Sequence, residues 1–182
     1  FDLGLMNVDG YESVPYVTVE TLAGYPYTTA AARSLPYGQW IHLAGVFDHK
    51  RNTLSLYING LLEQSGPGPE EGAGKEGAAY GGTLVLGQAS GLPGTAPFAN
   101  RVRMDEVRIW GMPLDASTVQ AWFNQEIALT HPAINQLLVA WQLTEATGNL
   151  AADASGRGKN GTLANGPLWV TDSPFVTAYR AD

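Results

Sequence analysis

The chain has 182 residues, 45% of them hydrophobic, which suits one globular domain or one domain with an appendage. Ten basic residues stand against seventeen acidic ones, so the basic stripe that a general nucleic-acid binder needs to displace counterions is missing. No apolar run approaches the ~18 residues that cross a bilayer, and the absence of cysteine excludes a disulfide framework and any thiolate metal site. The chain opens at Phe1 without a basic segment followed by an apolar one, so a secretion signal is expected to have lain upstream or to have been removed.

In chain order, short β-type runs alternate with Gly, Pro, Asn and Asp, and 22 glycines and 11 prolines supply the turns. Tyr16 to Thr21 alternates branched or aromatic with polar residues. Trp40 to Phe47 places Trp40, His42, Ala44 and Val46 on one face and Ile41, Leu43, Gly45 and Phe47 on the other, a strand apolar on both sides. Leu54 to Ile58 runs into Asn59-Gly60, a pair that tolerates positive φ and so predicts a tight hairpin before Leu61 and Leu62. Gly66 to Gly82 is a Gly/Pro/Ala/Glu loop without periodicity, expected to be mobile, with Glu70, Glu71 and Glu76 at a solvated tip. Thr83 to Leu86, Arg103 to Trp110 and Leu138 to Leu143 read as further strands. Between them, Asp115 to Gln125 reads as one short helix, capped by Asp115, with Val119, Trp122 and Phe123 at helical spacing. Without crossover helices, an all-β antiparallel sandwich follows.

Several of these segments together carry a resemblance: Gly38-Gln39-Trp40-Ile41-His42-Leu43-Ala44-Gly45-Val46-Phe47-Asp48, Leu54-Ser55-Leu56-Tyr57-Ile58-Asn59-Gly60, Leu84-Val85-Leu86-Gly87 and Met104-Asp105-Glu106-Val107-Arg108-Ile109-Trp110. In order and spacing they are similar to the laminin-G-like jelly roll of the concanavalin A-like superfamily, over roughly residues 35 to 125. Leu138-Val139-Ala140-Trp141-Gln142-Leu143 and the stretch Asp153 to Thr162 (DASGRGKNGT) resemble the opening strand and loop of such a domain, yet here they come last. The resemblance therefore implies a jelly-roll core over residues 1–130 without its opening strands, a linker at 131–136 and a segment 137–182 that completes this subunit or a neighbouring one. His131-Pro132 supports a boundary there, because a residue before proline is pushed away from helix. Circular permutation, the junction of two tandem repeats and strand exchange between subunits all fit, the last two ranking above the first.

Catalysis finds no support in the sequence. A glycoside hydrolase of this superfamily needs paired carboxylates across the scissile bond, and no Glu-x-Asp-x-Glu spacing occurs. Asp105 and Glu106 are adjacent, so in a strand they point to opposite faces. Cys is absent and no serine sits in a nucleophile-elbow context. His42 is read as a structural core residue, and His49 and His131 as solvated turn residues. The expectation is a protein that is not an enzyme.

For ligands, the resemblance implies a structural Ca2+ held by Asp105 together with Glu145, Gly148 and Asp153, oxygen ligands suited to a hard cation. Ion pairs from Arg103 and Arg108 to Asp105 and Glu106 explain the same carboxylates equally well. Asp153 to Thr162 could cradle an anion or a sugar hydroxyl, although its Asp, Asn and Gly content is already that of a plain turn. Asn160-Gly161-Thr162 also fits a glycosylation acceptor. Exposed tyrosines could stack on sugars, and Tyr25 and Tyr27 flanking Pro26 are the best candidates. The resulting expectation is an extracellular or cell-surface structural or adhesive module that self-assembles, as tandem repeats or a filament. The alternative is a carbohydrate-binding, lectin-like module that contacts an extracellular glycan.

Overall fold

The computed structural model describes residues 1–8, 11–21, 24–70, 84–86, 102–164 and 166–174. Residues 71–82 of the glycine-rich loop, with Glu71 and Glu76, and Thr83 and Gly87 lie outside the described residues. The chain divides into two compact units, Phe1–Val102 and Arg103–Asp182.

In the first unit, β1 (Asp2–Val8), β2 (Tyr11–Glu20) and β3 (Pro26–Ala30) form an antiparallel sheet in that order. Pro15 sits in the central strand, where it supplies no ladder N–H, but its carbonyl accepts from Ala31 N at 2.9 Å. A second antiparallel sheet comprises β4 (Leu43–Asp48), β5 (Thr53–Ile58) and β6 (Leu61–Pro67). Its two hairpins follow from local chemistry. Asp48 Oδ1 accepts the Lys50 and Arg51 amides at 2.9 and 3.2 Å, closing the first. Asn59 and Gly60 hold φ of 49° and 77°, closing the second as their sequence predicts.

The two sheets pack as a sandwich because each is apolar at alternate positions. Leu54, Leu56 and Ile58 of β5 join Val14, Val17 and Ala31 in one buried cluster, with Leu43 and Phe47 of β4 against it. The sheets approach closely at Gly45, where an added Cβ would lie 2.5 Å from Val17 Cγ2 and 2.9 Å from Phe1 Cζ. Thr29 Oγ1 donates to Leu54 O at 3.1 Å, which satisfies a buried hydroxyl across the interface.

The expected strand from Trp40 begins only at Leu43. Ahead of it, His42 N donates to Asn59 Oδ1 and Asn59 N donates to His42 O, at 3.0 and 2.9 Å, so this stretch bonds the turn residue instead of extending the ladder. Leu84, Val85 and Leu86 are exposed and carry no strand, contrary to expectation.

In the second unit, β7 (Val107–Trp110) pairs antiparallel with β8 (Leu137–Trp141), Val107 opposite Trp141 and Ile109 opposite Val139. β8 stops before the expected Leu143, whose φ of 56° leaves the extended region. β9 (Leu150–Ala151) pairs with β10 (Gly161–Thr162), and a single bridge joins Trp141 to Asp153. Val139, Trp141 and Ala151 form the buried cluster here, with Val107, Ile109 and Leu163 around it. The short helix α1 (Ala116–Trp122) lies where periodicity predicts it, and Asp115 Oδ1 caps it by accepting Thr118 N at 2.7 Å.

His131 corrects the sequence reading. It is 2% exposed rather than solvated, with Trp110 stacked on it at 4.3 Å and 24° and Trp122 tilted against it at 4.7 Å. Its Nδ1 accepts Ala133 N at 3.0 Å, so the ring is read as neutral with its proton on Nε2. Burial, then the nearby Arg108 charge, pushes its pKa below the ordinary histidine value.

Candidate functional site

The β2–β3 connection carries the tyrosines singled out for sugar stacking. Thr21 N donates to Tyr25 O at 3.0 Å, Gly24 N to Thr21 O at 2.9 Å, and Tyr25 N to Thr21 Oγ1 at 3.1 Å. These bonds fix the backbone while the Tyr25 ring stands 69% exposed. Tyr27 differs. It lies opposite Val19, two positions from the buried Val17–Thr29 pair, and therefore on the core side of the sheet, half-buried. The two tyrosines thus do not make one exposed platform.

The opposite face of the same sheet gathers polar and aromatic groups that sequence reading missed. Asp2, Thr18 and Thr28 form one cross-strand row, and Gly4, Tyr16 and Ala30 the next. A Cβ added at Gly4 would lie 3.1 Å from Tyr16 Cε1, so the ring rests directly on the glycine. Tyr16 Oη donates to Asp2 Oδ2 at 2.7 Å, and the hydroxyls of Thr18 and Thr28 meet at 2.8 Å. Burial, reinforced by the hydrogen bond to Asp2 and that residue's charge, pushes the Tyr16 phenol up to about 12. The alternation of Tyr16 and Thr18 was visible in sequence, but the register placing Gly4 under the ring was not.

The four residues expected to hold calcium all fall in the second unit, largely committed to protein partners. Asp153 is the hub of its loop: Oδ1 accepts Ala140 N at 3.0 Å and Ser155 N at 2.9 Å, and Oδ2 accepts Lys159 N and Ser155 Oγ, each at 2.8 Å. Burial alone would raise its carboxyl, but the amides of Ala140, Lys159 and Ser155 outweigh it and hold the group at about 2. Asp105 accepts Glu106 N and Ser173 Oγ at 2.9 and 2.6 Å, and the Gly148 carbonyl accepts Trp169 Nε1 at 2.8 Å. Glu145 Oε1 accepts Ala152 N at 2.6 Å, while its buried Oε2 has no hydrogen-bond partner among the described residues. Among the described residues no group of three or more His, Cys, Asp or Glu is placed together to hold a metal ion.

The arginines divide differently from expectation. Arg108 pairs with Glu106 at 2.8 Å, both largely buried, and also reaches Gln125 O, whereas Arg103 pairs with Asp172 instead of Asp105. In the Asp153 to Thr162 loop, Arg157 donates to Leu137 O and Asn135 O, and Trp141 Nε1 donates to Lys159 O. The loop's polar residues thereby tie it to β8, which accounts for its composition without a ligand.

A family model for the concanavalin A-like lectin/glucanases superfamily, of the laminin-G type, matches residues 5–120. Similar solved structures include a protein from Bacteroides ovatus provisionally described as carbohydrate binding, 16% identical, with a TM-score of 0.52 over 91% of this chain and 50% of that one. Another is an S-layer domain-containing protein (residues 221–444) from Clostridium thermocellum, 21% identical, with a TM-score of 0.37 over 60% of this chain and 51% of that one. The chain thus spans about half the length of these solved chains. No curated protein matches the sequence.

Proposed function

We propose, from the premise that this chain belongs to the laminin-G-like family of the concanavalin A-like lectin/glucanases superfamily, that it is a non-catalytic carbohydrate-binding module working outside the cell. Fold alone does not assign an activity, because this architecture carries many. The observation that carries the reading is the exposed aromatic Tyr25, held on a backbone already fixed by Thr21 at the end of a lectin-type sandwich. A rigid ring loses little entropy on stacking, which favours binding to the C–H face of a sugar. The provisional description of the Bacteroides ovatus protein is consistent with this. No helix among the described residues is long and apolar enough to cross a membrane.

Affinity electrophoresis in gels containing soluble polysaccharides tests the proposal. Retardation of the wild-type chain by at least one polysaccharide, reduced in Tyr25→Ala with an unchanged melting temperature, supports it. Equal mobility in every gel overturns it.

A second reading, self-assembly by exchange of 137–182 between copies, draws support from the β7–β8 pair. Its main-chain bonds could be made equally by a strand of the same sequence from another copy. Calcium is a narrower proposal resting on Glu145 Oε2, the uncommitted oxygen of the four candidate residues. Equal melting midpoints in calcium and in chelator would remove it.

A further inference from the structure

We propose that the outer face of the β1-β2-β3 sheet is a glycan-contacting surface in addition to Tyr25, with Tyr16 as stacking platform, Thr18, Thr28 and Asp2 as polar contacts, and a neutral polysaccharide as ligand. This rests on the carbohydrate-binding reading above and assigns it a surface and a ligand class.

Strand parity separates the two faces of this sheet. The inner face of this sheet buries Val17 and Thr29, and the outer face presents Asp2, Gly4, Tyr16, Thr18, Glu20 and Thr28, with Glu20 and Thr28 exposed. The Asp2–Thr18–Thr28 and Gly4–Tyr16–Ala30 rows carry no large aliphatic side chain, whereas the next row of the same parity pairs Met6 with the buried Val14, so the stretch from Tyr16 to Glu20 is the part suited to a hydroxylated ligand. Gly4 determines how the ring lies. With no Cβ opposite, Tyr16 lies on the β1 backbone and its hydroxyl is anchored on Asp2. An aromatic ring laid along a sheet offers a face, the geometry that the C–H side of a pyranose packs against.

The polar atoms sit one row away. Thr18 and Thr28 share a single hydrogen between their oxygens, which leaves one proton and further lone pairs to exchange with sugar hydroxyls. Asp2 accepts the hydrogen bond of the Tyr16 hydroxyl beside them, and a carboxylate makes the stronger kind of hydrogen bond to a hydroxyl. Charge selects the ligand class. Asp2 and Glu20 make this face acidic, within a chain of net charge −7, so uronates and sulfated sugars are repelled and uncharged hexose chains are not.

The test is affinity electrophoresis against laminarin, hydroxyethylcellulose and galactomannan as neutral probes, with polygalacturonate as the acidic one. The variants are Tyr16→Leu, Tyr16→Phe, the double variant Thr18→Val/Thr28→Val, and Tyr25→Ala, each checked for folding by its melting curve. Wild-type affinity for a neutral probe should fall about tenfold in Tyr16→Leu and in the double threonine variant, and stay within about threefold in Tyr16→Phe, which keeps the ring. Should Tyr16→Leu fail to fold, the threonine variant decides, since valine preserves shape and strand preference. Wild-type binding that survives both changes but is lost in Tyr25→Ala overturns this surface and leaves the carbohydrate reading intact. No retardation by any probe overturns both, and preference for polygalacturonate overturns the neutral ligand class.

Discussion

At the scale of single residues, the second unit depends on one carboxylate. Asp153 satisfies three backbone amides and a hydroxyl from β8 and from its own loop. Asp153→Asn removes the charge and turns one acceptor oxygen into a donor facing N–H groups, at an expected cost of about 1–3 kcal/mol by urea denaturation at neutral pH. The pH dependence has a definite sign. The folded carboxyl lies at about 2 against an ordinary 3.8, so ionisation is favoured by folding. Its contribution is complete above about 3.8 and is lost as pH falls through about 2. Across that window the stability of the wild type should fall faster than that of Asp153→Asn, and parallel curves would contradict the assignment. The composition of this loop was readable as a turn in sequence. His131 was not, because a histidine between two turn residues gives no sign that Trp110 and Trp122 will close on it.

At the scale of elements, the hairpins were legible and the sheet contacts were not. Asn59-Gly60 announces its turn because only residues tolerant of positive φ serve there. Asp115 announces α1 because its carboxylate meets free amides one turn on. Gly45 gives no such signal, since nothing in the run Trp40 to Phe47 says that Val17 and Phe1 will press on its Cα. Gly45→Ala should therefore destabilise the first unit by about 1–3 kcal/mol, read as a lowered thermal midpoint, although alanine is ordinarily harmless in an exposed strand. A neutral outcome would mean that the sheets can separate locally without loss. Tyr25 and Tyr27 teach the same lesson. Their spacing made them look like one platform, whereas pairing of Tyr27 with Val19 turns its ring toward the core.

At the scale of the whole molecule, the question is what the C-terminal segment completes. Within the second unit Leu137–Trp141 supplies the antiparallel partner of Val107–Trp110 and most of the buried cluster. Deleting 137–182 should leave the β7 edge unpaired and expose Ile109, giving aggregation or loss of folding by light scattering and circular dichroism. Unchanged folding and mass would contradict a completing role. In the intact chain, a constant monomer mass on about tenfold dilution is expected if β8 pairs within its own chain, and polymers that persist would favour exchange. The sequence by itself determined the all-β class, the family and the local punctuation, because alternation, turn chemistry and capping act over a few residues. Only the tertiary structure decided which tyrosine lies on a glycine, which carboxylates are already satisfied and which histidine is buried. Those outcomes depend on register and on contacts between segments distant in sequence, and a one-residue slip of β1 against β2 would by itself move Gly4 from under the Tyr16 ring.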